Sequence, residues 1–267
     1  MSLIATLASA AEASADEGHS VADSLMHHVV DVPGFLGPLS KHFVFFGLAA
    51  AAVLVLARLA VSSYRSGGVP RGLGAFVEML VLFVRDEVAE KNIGHDGRRF
   101  TPLLCSFFFF ILVAALMGLL PFSATSTGNL AVTAALATIS FLAQQYAGVA
   151  NYGLIGHFRN LVPPGLPAWL LPIMIPVEIL GMFTKPFALM VRLFANMLAG
   201  HMVIAMLLLL IPLLAGVSTA LGVAIIPISI GLSVFICMLE VLVAFIQAYI
   251  FTLLTAIFIG MYAHPAH

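Results

Sequence analysis

The residues able to do chemistry in this chain sit where chemistry is least expected. Arg192, His201 and Glu240 lie inside long aliphatic runs, with Asn196 and Gln247 close by. A charge at the centre of a membrane helix costs at least about 2.5–3.5 kcal/mol, so each such residue is a functional candidate by default. The ordinary alternative is a long side chain that snorkels to an interface. That reading suits Glu178 and Lys185, which lie near the start of their run. It suits Arg192 poorly, because apolar residues 179–183 and 193–210 separate it from either polar end. Positions 188, 189, 195 and 196 are Ala, Leu, Ala and Asn, so no carboxylate stands at helical spacing. Arg192 therefore reads as a permanent cation that needs a carboxylate from another chain.

Geometry along the two C-terminal runs adds a second pairing. His201 lies nine residues beyond Arg192, about 13.5 Å along a helix and half a turn round it. Glu240 precedes Gln247 by seven residues, about 10.5 Å on nearly the same face. If the runs pack antiparallel with Gln247 level with Arg192, His201 and Glu240 reach similar depth. An imidazole and a carboxyl at one depth can relay protons. Each alone is more often a structural hydrogen-bonding residue. Thr252 and Thr255 extend a polar seam from Gln247, although membrane threonines often bond only their own backbone.

The elements that must hold these residues follow from composition. Of 267 residues, 62% are hydrophobic and 9% are charged. A soluble domain is about 45–50% apolar and about 25% charged. The contrast excludes a soluble enzyme, a nucleic-acid-binding protein and a disordered chain. The apolar runs are long and continuous, which favours an all-α integral membrane protein over a β-barrel. Cys105 and Cys237 both lie in apolar runs, which fits neither a zinc site nor a disulfide framework.

Residues 1–40 form a polar segment with acids and histidines but no Lys or Arg, a poor fit to a secretory leader. The remainder, 41–267, reads as one helical membrane domain. A first span covers 41–64. Residues 72–93 have apolar positions at helical spacing with charges between them. That pattern fits an amphipathic helix on the membrane surface or a solvated connector. Spans follow at 102–121 and 129–150. The runs 169–211 and 222–262 are each about 60 Å if fully helical, twice the roughly 30 Å hydrocarbon core. They must be tilted, kinked or broken. Arg65, Arg71, Arg85, Lys91, Arg98 and Arg99 cluster between the first two spans, and Arg159 lies in the loop after the third. The positive-inside rule then puts those loops and the C-terminus inside and the N-terminus outside, with five crossings.

The run Thr184-Lys185-Pro-Phe-Ala-Leu-Met-Val-Arg192-Leu-Phe-Ala-Asn196-Met-Leu-Ala-Gly200-His201 resembles the signature of subunit a of rotary F-type ATP synthases. His27-His28, Leu116–Pro121, Asn129–Ala137 and Ile246–Thr255 resemble further stretches of that family, so the likeness covers most of the chain. It implies that Arg192 faces a ring of c subunits, with Asn196 and Gln247 as polar neighbours. His201 and Glu240 then look like a Glu/His pair exchanged as a unit. Glu178, Lys185, Tyr249, Thr252 and Thr255 stand as possible supporting residues. The resemblance implies two offset half-channels, a c-ring rotor, b-type peripheral stalk subunits, and no cofactor, metal or nucleotide chemistry in this chain. The acidic N-terminal segment and the basic inner loop favour a bacterial inner membrane, with the mitochondrial inner membrane as the alternative. Gly118 stands where several members carry an acid, Ala115 where they carry Asn, and Ala188 where some carry Ser. A self-contained transporter or ion channel would also explain buried charge, though no inverted repeat is visible. A purely structural scaffold leaves Arg192 unexplained.

Overall fold

The computed structural model describes residues 41–65, 72–119, 130–159 and 171–263. The polar segment 1–40 with His27 and His28, Arg71, the 122–129 loop and the proline-rich stretch 163–167 lie outside these residues. Every element among the described residues is helical. Helix α1 is Lys41–Arg65, α2 is Leu73–Phe83, and a π-type segment follows at Val84–Glu90. A short α3, Lys91–Ile93, and a 3₁₀ turn, Gly94–Asp96, lead into α4, Gly97–Gly118. Then come α5, Leu130–Arg159, α6, Leu171–Val217, and α7, Thr219–Ala263. Four of these, within α4, α5, α6 and α7, are long and apolar enough to cross a membrane. The described apolar core of α1, Phe46–Arg58, is shorter. The chain is an all-α membrane protein.

The two C-terminal runs are continuous helices of 47 and 45 residues. They contain Pro176, Pro186, Pro212 and Pro227 without a break. Proline frees a carbonyl in a helix, and membrane helices tolerate this when neighbours or hydroxyls re-satisfy the backbone. The connection expected over 212–222 shrinks to Ser218. Its N–H bonds the Leu214 carbonyl at 3.0 Å, and the Gly222 N–H bonds the Ser218 carbonyl at 3.0 Å. A Cβ on Gly222 would come within 2.7 Å of the Ala215 Cα, so only glycine permits so tight a return.

The segment 72–93 is divided, not one regular helix. In the π segment Val84, Val88 and Ala89 are buried, while Asp86 and Glu87 are exposed. Wider i→i+5 winding lets residues four and five apart share the inward side. Ion pairs Arg85–Asp86 at 2.6 Å, Arg98–Glu90 at 2.8 Å, and Lys91–Glu87 line the outer side. Exposed Phe76 and Met79 on α2 give this segment an apolar surface of the kind that enters a membrane interface.

The core lies around the C-terminal half of α7. Ala244, Ala248, Phe251, Thr255 and Ile259 repeat at helical spacing and are buried. Phe107 of α4 meets Phe251 edge-on at 5.4 Å, and Phe108 meets Phe245 at 5.7 Å. Leu189 and Leu193 of α6 and Val84, Val88 and Ile93 of the segment 72–93 complete the cluster. That segment docks where Gly260 of α7 lies against the Asn92 backbone, and a Cβ there would collide with the Asn92 carbonyl oxygen. Gly260→Ala is therefore expected to destabilise the subunit by about 1–3 kcal/mol, the usual range for overpacking. Gly216→Ala, which meets open space, should be neutral. Thermal unfolding of the purified complex checks both, and equal midpoints would refute the close approach.

Candidate functional site

Helix α6 carries Arg192, Asn196, Gly200 and His201, and α7 carries Glu240 and Gln247. The two helices pack along their length as an antiparallel hairpin. Arg192 is exposed, whereas Leu189 and Leu193 beside it are buried against the core. Ala188, Ala195 and Ala199, which share its face at helical spacing, are exposed with it, so the guanidinium stands on an apolar face. The ion pairs among the described residues all lie in or beside the π segment, and none includes Arg192.

Glu240 reaches across to α6 and lies directly on Gly200. A Cβ at Gly200 would approach the Glu240 Cδ to 2.7 Å and collide with its Oε1. The other carboxyl oxygen, Oε2, is buried without a hydrogen-bond partner among the described residues. A cleft of about 230 Å³ runs beside it, with Asn196, Gly200 and Glu240 in one wall and Ala115 and Leu119 of α4 in another. Glu240 is thus level with Gly200, the neighbour of His201. The imidazole turns elsewhere: Nδ1 lies 3.0 Å from the Met197 carbonyl and Nε2 lies 2.9 Å from the Gly118 carbonyl. His201 and Glu240 share a depth but form no ion pair within 4 Å.

The remaining candidates separate into different surroundings. Gln247 is 6% exposed, among the few buried polar side chains of α7. Tyr249 packs against Phe83 of α2, with ring centroids 5.6 Å apart. Thr252 donates to the Ala248 carbonyl of its own helix at 2.8 Å. Thr255 donates to Phe251 O at 2.9 Å, and its hydroxyl also meets Ser140 of α5 at 2.9 Å. Lys185 does not simply snorkel. Its ammonium sits over the rings of Phe258 and Tyr262 at 5.4 and 5.3 Å, with Met261 Sδ at 3.3 Å. Such cation–π contacts stabilise by about 0.5–2 kcal/mol. Glu178, half-buried, is within electrostatic reach of Tyr262.

A family model described as ATP synthase A chain matches residues 43–260. The chain belongs to that family. ATP synthase subunit a of Myxococcus xanthus (strain DK1622) is 47% identical over 255 residues, covering 92% of this chain and 81% of that one. ATP synthase subunit a of Anaeromyxobacter dehalogenans (strain 2CP-C) is 53% identical over 226 residues, covering 83% and 57%. The Chloroherpeton thalassium protein of the same name is 46% identical over 243 residues, covering 89% and 71%.

Three site elements were not visible as candidates in the sequence. Gly200 matters through what it lacks, a side chain in Glu240's place. The Gly118 carbonyl is a backbone group at the end of α4, invisible as a residue type. The third is the buried pair Ser140 and Gln144 on α5, in which Gln144 Nε2 donates to Ser140 Oγ at 3.2 Å. Its signal was present: Thr133, Ala137, Ser140, Gln144 and Ala147 form one buried stripe at helical spacing. Removing the α5–α7 bond with Thr255→Val should cost about 1 kcal/mol. Thr252→Val, whose hydroxyl serves only its own helix, should cost less. Comparing thermal unfolding of the two variants in the assembled complex checks this, and equal losses would contradict it.

Proposed function

We propose that this chain is the stator proton-channel subunit of an F-type ATP synthase, with two offset half-channels that load and unload carboxylates on a c-ring. As a member of its family it is the proton-translocating subunit of the membrane sector and works in a complex with the other subunits. The finer reading rests on one observation above all. Arg192 stands exposed on an apolar helix face with no carboxylate paired to it among the described residues. Such a cation is stable in a membrane only beside an anion or polar group supplied from outside the chain.

Protons enter from the outer side past His201 and Glu240, cross the region of Asn196, and reach a carboxylate on a c subunit. The cleft joining Glu240 to Asn196 supports that direction. A protonated carboxyl can face lipid, whereas an ionised one cannot, so the ring turns away from this subunit only when loaded. After most of a turn the site reaches an inner half-channel and releases its proton. Gln247 lies beside the Arg192 region, and Glu178 and Lys185 lie towards the inner mouth. Arg192 attracts the ionised rotor carboxylate, favours its deprotonation and repels a proton crossing directly between the half-channels. The membrane potential contributes about 2.3 kcal/mol per charge per 100 mV.

The chain is a non-catalytic member of the complex in this reading, and nucleotide chemistry belongs to other subunits. Segment 1–40 lies outside the membrane, the Arg/Lys-rich segment before α4 lies inside, and b-type stalk subunits hold the domain 41–267 static. The membrane is a bacterial inner membrane, in keeping with the bacterial relatives. A self-contained transporter would translocate protons alone; this chain should do so only when assembled with a c-ring.

Arg192→Ala should abolish proton-driven ATP synthesis in membrane vesicles while leaving assembly intact, and normal synthesis would sink the assignment. His201→Ala and Glu240→Ala should each slow synthesis, with the exchanged pair His201→Glu/Glu240→His milder than either. Equal losses in all three would argue against a paired relay. Gly200→Ala displaces the end of a flexible side chain, so the complex should assemble. Its synthesis should fall about tenfold, equivalent to roughly 1.4 kcal/mol on the barrier. An unchanged rate would mean that Glu240's seat on Gly200 is immaterial.

A further inference from the structure

The two hydrogen bonds of His201 both end on carbonyl oxygens: Met197 at 3.0 Å, one turn back on α6, and Gly118 at 2.9 Å, at the end of α4. Carbonyls only accept, and a neutral imidazole has a single N–H. A ring that donates to both must carry protons on both nitrogens. Gly118 is the last residue of α4. Glu240, the acid at the same depth, has a buried Oε2 without a hydrogen-bond partner among the described residues. The ring and the acid are therefore near each other yet unconnected.

We propose that the Gly118 carbonyl is a latch that holds His201 loaded with an incoming proton and turned away from Glu240. This rests on the relay reading above and makes the outer path a swinging step instead of a fixed wire. The ring leaves Gly118, its Nε2–H bond breaks, and an O–H bond forms on the Glu240 carboxylate. Imidazolium and carboxylate become neutral imidazole and neutral acid, and no further reactant takes part. The imidazole then takes a proton from a hydronium ion on the outer side, which leaves as water, and returns to the latch. Gly118 is a positioning group in this scheme and acts through its backbone alone.

The test is solid-state NMR of the assembled complex in bilayers, with ¹⁵N-labelled histidine rings and ¹³C-carbonyl glycine. The expected result is a His201 ring protonated at both nitrogens, with a dipolar contact from Nε2 to a glycine carbonyl carbon. That contact should vanish in Gly118→Ala, which keeps the carbonyl but removes its label. When an acid pulse from the outside drives turnover, the contact should weaken in the wild type and persist in Glu240→Gln. An unprotonated ring nitrogen, no contact to Gly118, or a contact indifferent to turnover would each overturn the latch. The relay reading fails separately, if His201→Ala synthesises ATP at the normal rate.

Discussion

A guanidinium keeps its charge at every physiological pH, and hydrocarbon cannot solvate it. Arg192 presents this constraint in its plainest form, exposed with Ala188 and Ala195 on a 47-residue helix. The adjoining side of α6, through Leu189 and Leu193, is committed to the core. The helix therefore cannot turn the arginine inward without exposing its packing face. A partner anion must come to Arg192, and a moving rotor that presents carboxylates in sequence meets that need.

The rest of the architecture keeps α6 in that attitude. Glycine sets the distance at three levels: Gly222 at the turn beside Ala215, Gly200 beneath Glu240, and Gly260 against Asn92. Earlier on α6, Lys185 is clasped by Phe258, Tyr262 and Met261 of α7. Behind α7, the hydroxyl contact of Thr255 with Ser140 joins it to α5. These contacts oppose rolling of α6 and α7 against each other. Such rolling would shift Arg192 and carry Glu240 off its seat. In the proposed reading, a stator needs this stiffness because the rotor would push on it at every step.

Much of this was legible in the sequence, for identifiable reasons. Runs of apolar residues fixed the class, and a charge inside one of them has few meanings, so Arg192, His201 and Glu240 stood out at once. The shared depth of His201 and Glu240 followed from helical rise and an antiparallel hairpin. What stayed hidden depends on contacts between residues far apart in the chain, or on atoms that all residues share. Gly200 has no chemistry to notice until Glu240, forty positions later, is laid on it. The Gly118 carbonyl belongs to the backbone, and residue type does not announce it. Lys185 resembled an ordinary interfacial lysine until the rings of α7 closed around it. The π segment was concealed because Val84 and Val88 also satisfy α-helical spacing, and only Ala89 and Ile93 reveal the wider winding.

The central claim, that Arg192 is held exposed for a carboxylate of a different subunit, is most directly tested by a high-resolution cryo-electron-microscopy map of the assembled complex in lipid. The account predicts the Arg192 guanidinium at the contact with the c-ring, facing the level of the rotor carboxylates, with Glu240 still seated on Gly200 behind it. A map in which Arg192 pairs with a carboxylate of its own chain, or faces lipid away from the ring, would contradict it.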